Sequence, residues 1–159
     1  MFRPRWSARI LDETEKAIAQ ISKGTSNTAR QRAAIEKAFP EARVLPADPS
    51  INVAGLLPDA DDEHVLQSAI AARCETLVTD NIDEFPQEVL AHWSIEVMSS
   101  DVFISNAMDL DHVVAIGAMR EMRARLRDPK YTVSALVLKL ESQGLLQTAD
   151  FFRRYENLL

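Results

Sequence analysis

Residues 59 to 86 constrain this chain more than any other stretch, because they join a helix signal to a strand signal with carboxylates at both ends. Asp59, Asp61, Asp62 and Glu63 open a segment whose apolar residues recur at Val65, Leu66, Ala69 and Ile70, the spacing of one face of an amphipathic helix. Thr76, Leu77, Val78 and Thr79 then form a short β-type run that ends in Asp80 and Asn81. Helix followed by strand is half of an α/β unit. Ligands of an open parallel sheet bind outside the carboxyl ends of its strands, which is where Asp80 and Asn81 lie if this strand is parallel.

Negative side chains favour a helix N-terminus by ~0.3–1 kcal/mol each, and this accounts for one or two of the opening acids. Four acids within five positions repel one another, which makes a counter-cation plausible. Asp62 stands three and four residues before Val65 and Leu66, so it falls on the inward face at the helix mouth, where the plain alternative is a cap. After the strand, Asp80, Asn81, Asp83 and Glu84 supply further oxygen ligands, and the spacing leaves open which of them points inward. His64 has no partner at metal-ligand spacing and reads as a surface or capping residue.

Upstream, Ser7 can cap a helix with a stripe of Ile10, Leu11, Thr14, Ala17, Ile18 and Ile21, Trp6 packing back on its first turn and Gly24 ending it. Glu13 borders that stripe, while Asp12 points elsewhere; the plain alternative is an edge Glu in a solvated acidic run. Thr28 to Phe39 reads as a second helix with Ala33, Ala34, Ile35, Ala38 and Phe39 apolar, stopped by Pro40. Arg43 to Leu45 is a short strand candidate closed by Pro46, and Ala47 to Pro58 a loop.

The chain of 159 residues is long enough for one principal domain with a C-terminal appendage. No apolar run approaches the ~20 residues of a membrane span, and the first residues carry no signal-peptide core, so the simplest address is cytoplasmic, with no membrane partner. A single cysteine, Cys74, excludes an internal disulfide and a cysteine-rich zinc site, and its place beside Ile70 marks a small core residue. With four glycines in all, the chain has neither a phosphate loop nor a dinucleotide-binding turn. The net charge of −6 argues against broad electrostatic attachment to nucleic acid, although a local basic strip can coexist with it.

Val89 to Trp93 reads as a short amphipathic turn, Ile95 to Met98 alternates as a strand, and Asp101 to Ile104 begins another core helix. Beyond Asn106 the pattern becomes helical throughout, through Val113 to Leu126, Val133 to Leu140 and Leu145 to Tyr155, with breaks at Asp128, Pro129, Gln143 and Gly144. The resulting division is residues 1–106 and 107–159. Arg120, Arg123, Arg125, Arg127 and Lys130 outnumber the acids around them and form a candidate phosphate-tracking strip, the plain alternative being a solvated helix face.

The pattern Asp62-x-x-Val65-Leu66-x-x-Ala69, followed by Leu77-Val78-Thr79-x-Asn81-x-x-Glu84-Phe85-Pro86, resembles the PIN-domain ribonucleases, in particular the VapC-type toxins of prokaryotic toxin–antitoxin pairs. Where the family often has Asp-Phe, this chain has Glu84-Phe85. The resemblance implies an α/β fold with a Rossmann-like parallel sheet flanked by helices, and the tail resembles the extra helical segment on one branch of the VapC-like proteins. Ser7 and Glu13 look like the family's early-helix pair, Asp62 its helix-opening acid, and Asn81 stands where the family carries Asp or Asn.

The resemblance also implies a metal-dependent endoribonuclease. Glu13, Asp62, Asp80 and Asn81 are its catalytic candidates, and the same residues with Glu84 its ligands for Mg²⁺ or Mn²⁺, hard ions that prefer carboxylate oxygens. A complete PIN domain begins with a strand ending in Asp-x-Asn, and this sequence shows no such segment, so the expectation is an N-terminally truncated fold. A central strand contributes ~6–12 kcal/mol of apolar burial, a large share of a domain's net ~5–15 kcal/mol. That predicts a partner which supplies the strand and its acid, either an antitoxin-like or N-terminal complementing polypeptide, or another copy in an oligomer. The second function class is a catalytically silent truncated PIN fold that binds a protein partner, and a DNA-binding module on the tail is the weaker third.

Overall fold

A computed structural model describes residues 2–45, 51–127 and 129–159. The expected breaks at Pro46 and Asp128 and the first part of the Ala47–Pro58 loop lie outside the described residues. The chain divides into two compact units, one of residues 1–77 and 83–97, the other of residues 78–82 and 98–159. The expected boundary after Asn106 falls inside a helix, Ser100–Leu110, that belongs wholly to the second unit.

In the first unit, α1 (Ala8–Ile21) starts where Ser7 Oγ accepts the N–H of Ile10. It ends at Gly24, whose φ of +76° a residue with a side chain rarely adopts and whose N–H reaches the Ala19 carbonyl. Helix α2 (Thr28–Ala38) is capped by Asn27 and pinned to α1 by Arg32, whose guanidinium contacts both Asp12 (2.6 Å) and Glu15 (2.7 Å). The apolar stripe expected of these helices is only partly covered: Leu11 is buried, α2 buries nothing, and Ile21 is 84% exposed.

The strand expected at Arg43–Leu45 is reduced to one parallel bridge, Trp6 to Arg43, in which the Trp6 N–H donates to the Ala42 carbonyl and the Trp6 carbonyl accepts the Val44 N–H. Trp6 packs edge to face on Phe39. Helix α3 (Glu63–Ala71), strand β1 (Thr76–Val78) and helix α4 (Gln87–Leu90) form where the apolar spacing predicts them, and strand β2 (Glu96–Met98) pairs with β1. Hydrogen bonds from Glu96 N–H to Glu75 and from Thr79 N–H to Met98 climb both strands in one direction, so the pair is parallel. The core of this unit joins Val53, Leu57, Leu66, Ala69, Leu77, Phe85, Leu90 and Ile95, with Cys74 packed at its margin and its thiol pushed upward by burial. Leu66, Ala69, Leu77 and Phe85 come from the helix–strand stretch and the other four from the segments on either side of it, and the result is a helix-rich α/β fold with a small parallel sheet.

The second unit holds α5 (Ser100–Leu110), α6 (His112–Arg125), α7 (Val133–Ser142) and α8 (Leu146–Arg154), packed around Met108, Met119, Leu136, Val137, Ala149, Phe151 and Phe152. The α6 stripe is buried only at Met119, whereas Val113 is 81% exposed. No helix among the described residues is long and apolar enough to cross a membrane.

Candidate active site

The site is built where α1 meets the mouth of α3, inside the first unit. Each of the four opening acids has a different neighbour. Asp59 Oδ1 accepts the Asp61 N–H (2.8 Å) and caps a 3₁₀ turn over Ala60–Asp62. Glu63 Oε1 accepts the N–H of Gly55 (2.6 Å), whose φ of +74° lets the loop turn there. Asp62 immediately precedes α3, yet its side chain makes no capping hydrogen bond. Burial first, then the charges of Asp59, Glu13 and Asp61, push its carboxyl above the usual carboxylate range, with His64 pulling the other way.

Glu13 comes to this place from the second turn of α1. Its Oε1 accepts from Arg9 Nε at 2.9 Å, one helical turn back, and its Oε2 lies 3.0 Å from His64 Nε2. Arg9 also donates to the Asp61 carbonyl at 3.3 Å, which ties α1 to the 3₁₀ turn. The His64 side chain is only 12% exposed, and neither ring nitrogen has a well-aligned hydrogen-bond partner despite the short approach to Glu13.

Spacing along the chain missed both His64 and Arg9. A signal for Arg9 was present in its i, i+4 relation to Glu13. His64 carried none beyond standing two residues after Asp62, because its partner comes from another helix.

The structure thus holds Glu13 and Asp62 in one unit, Glu13 against His64 and its partner Arg9 against the Asp61 carbonyl, residues on either side of Asp62. Asp80 and Asn81 belong to the other unit, and both are exposed. Asp80 Oδ1 accepts the Ser100 N–H at 2.9 Å, so this acid satisfies the start of α5. Asn81 donates its N–H to Thr79 Oγ1 at 3.1 Å in a local turn. Glu84, half-buried, closes a 3₁₀ turn over Ile82–Glu84.

Of the basic strip, Arg123 is the one that is not solvated. Its guanidinium donates to the Leu159 carbonyl (2.6 and 3.1 Å) and the Tyr131 carbonyl (3.4 Å), holding the chain end against α6. Arg125 pairs with Glu121 along the helix, while Arg120, Arg127 and Lys130 are exposed.

Among the described residues, no group of three or more His, Cys, Asp or Glu side chains comes together as a metal cage. Mg²⁺ does not require one, since it keeps several waters and commonly binds through one or two carboxylates plus substrate phosphate. Asp62, whose side chain makes no capping hydrogen bond and which stands among Asp59, Asp61 and Glu63 in the chain, fits that mode of binding.

The PIN-domain family pattern matches residues 1–83, and the pattern described as the VapC50 C-terminal domain matches residues 100–154. A curated relative named "Putative ribonuclease VapC50", from Mycobacterium tuberculosis, is 30% identical over 82 residues, 52% of this chain and 48% of the relative. The match therefore spans about half the length of that relative. No solved structure matches the chain significantly. Since the first of these patterns covers more than half of its length, this chain belongs to the PIN-domain family, and it resembles the VapC type of that family.

Proposed function

We propose that the chain works as a metal-dependent endoribonuclease toxin of the VapC type, with Glu13 and Asp62 as its principal acids. The observation that carries this reading is that Glu13, from α1, stands 3.0 Å from His64, two residues after Asp62, whose own carboxyl at the mouth of α3 is uncapped. Glu13 and Asp62 hold Mg²⁺ or Mn²⁺, which when bound supplies charge relief on the phosphate and lowers the pKa of the attacking water. The remaining steps fall to the protein. Arg9 and His64 fix Glu13, the 3₁₀ turn at residues 60–62 fixes Asp62, and Asp80, Asn81 and Glu84 are the further ligands proposed from the family pattern.

RNA is the proposed substrate, and Arg120, Arg125, Arg127 and Lys130, with Arg123 at their centre, are its proposed phosphate contacts. Their exposure, Arg123 apart, supports this. The proposed partner is an antitoxin, or else another copy of the chain. Exposed apolar side chains on the first two helices, Ile21 and Ile35, support a covering partner. A cytoplasmic address belongs to the same reading.

The test is cleavage of a mixed-sequence RNA with Mn²⁺ present or chelated. Cleavage that needs Mn²⁺ and is lost in Asp62→Asn is the expected result; cleavage indifferent to either ends the proposal. A second reading is a catalytically silent PIN fold that binds a protein. It predicts a folded chain that binds no divalent ion.

A further inference from the structure

We propose that His64 is a positioning residue for Glu13, donating its Nε2–H to one carboxylate oxygen while Arg9 holds the other. This inference rests on the reading of Glu13 and Asp62 as metal ligands and adds a part which the family pattern does not carry over. Its observation is a burial problem. An imidazole that is 12% exposed, with neither nitrogen well paired, is unfavourable unless something nearby can accept from it. The polar atom beside Nε2 is Glu13 Oε2, at 3.0 Å.

Chemistry makes the arrangement useful. A carboxylate offers about four lone-pair sites, so one bond from Arg9 and one from His64 leave Glu13 able to bind a cation as well. Two donors, from α1 itself and from the first turn of α3, hold the group in one orientation beside Asp62. Arg9 is half exposed and can swing away, whereas His64 is enclosed and cannot. Hydrogen bonds to a ligating carboxylate commonly carry about 10–100-fold in metal affinity.

Two measurements on the full chain test the clamp. The first is long-range ¹H–¹⁵N NMR of the histidine rings, which reads which nitrogen bears the proton. The clamp requires the proton on Nε2 of His64, with a shift that moves in Glu13→Gln. A proton resting on Nδ1 alone, or no response to Glu13→Gln, overturns it. This arm uses the wild type and an exposed-site variant, so it decides even if His64 variants fail to fold.

The second is Mn²⁺ affinity by calorimetry for His64→Gln and His64→Asn. The Gln amide nitrogen reaches the place of Nε2 and the Asn amide that of Nδ1, so packing alone gives no reason for one to rescue. Expected is affinity within about threefold of wild type for His64→Gln, and about 10–100-fold weaker for His64→Asn. Equal or tighter binding by His64→Asn overturns the clamp. Loss of binding in Asp62→Asn with no effect at His64 removes the clamp alone. Equal binding by wild type and Asp62→Asn removes the metal-site reading and the clamp's purpose with it.

Discussion

Asp101 and Thr148 stand 47 positions apart in the chain and meet twice at the same oxygen, Asp101 Oδ1 accepting from the Thr148 N–H at 2.9 Å and from its hydroxyl at 2.8 Å. Oδ2 accepts the Gln147 N–H at 2.8 Å. Helix α8 begins after Leu145, a residue with no side chain able to cap, and Asp101 from α5 serves as its cap instead. Replacing Asp101 by Ala leaves these buried donors without an acceptor, and the expected loss is about 2–4 kcal/mol of unfolding free energy, read by urea titration. Asn, which keeps one acceptor oxygen, should lose less.

The same contacts set a pH dependence. Burial alone would raise the Asp101 pKa, but hydrogen bonds from the Thr148 and Gln147 backbone, the Thr148 hydroxyl and the Leu146 backbone outweigh it and hold the group below its ordinary value. A folded pKa below the unfolded one means stability that is fully present above the ordinary carboxylate range and lost as pH falls through the depressed value. Asp101→Asn should flatten this acid limb of a Tm-versus-pH curve.

Asp62 has the opposite sign. Its folded pKa lies above its unfolded one, so folding is favoured by protonation at this site and loses that contribution as pH rises through the raised value. At neutral pH without divalent ion, Asp62→Asn should be slightly more stable than wild type, on the order of 0.5 kcal/mol for relief of like-charge contacts. Saturating Mn²⁺ should reverse the order, since ligand at about a hundred times its Kd stabilises by ~2.7 kcal/mol only the protein that binds it. Thermal melts with Mn²⁺ and with chelator read both effects.

The basic residues divide by what they touch. Arg123→Met should lower the Tm and loosen the chain end, because Leu159 and Tyr131 lose their donor. Arg120→Ala, Arg127→Ala and Lys130→Ala should leave the melt unchanged. If RNA tracks along this strip, each should weaken RNA binding and reduce the magnitude of the salt slope by about one.

Arg32→Met should lower the Tm by freeing Asp12 and Glu15 at the α1–α2 contact, and the wild-type advantage should shrink as salt rises. Arg32→Lys should recover it only in part, because an ammonium lacks the planar fork that meets two carboxylates.

Much of the fold lay open in the residue pattern. Ser7 and Gly24 mark helix ends by groups that act within a turn of their own position, and β1 and β2 appeared where apolar runs predicted strands. The tail divided into helices for the same reason. Burial was less legible: an apolar stripe shows that a helix has a face to cover, not that anything covers it, and Ile21 and Val113 remain open.

The candidate site shows the same division. By itself the sequence determined the helix-mouth placement of Asp62 and the border placement of Glu13, because helical periodicity fixes which way a side chain leaves its own axis. Tertiary structure alone decided that His64 is enclosed against Glu13, that Asp80 satisfies the start of α5, and that Arg123 is spent on the Leu159 carbonyl. Those are contacts between elements far apart along the chain. Their formation depends on how helices pack, and local spacing carries no record of that.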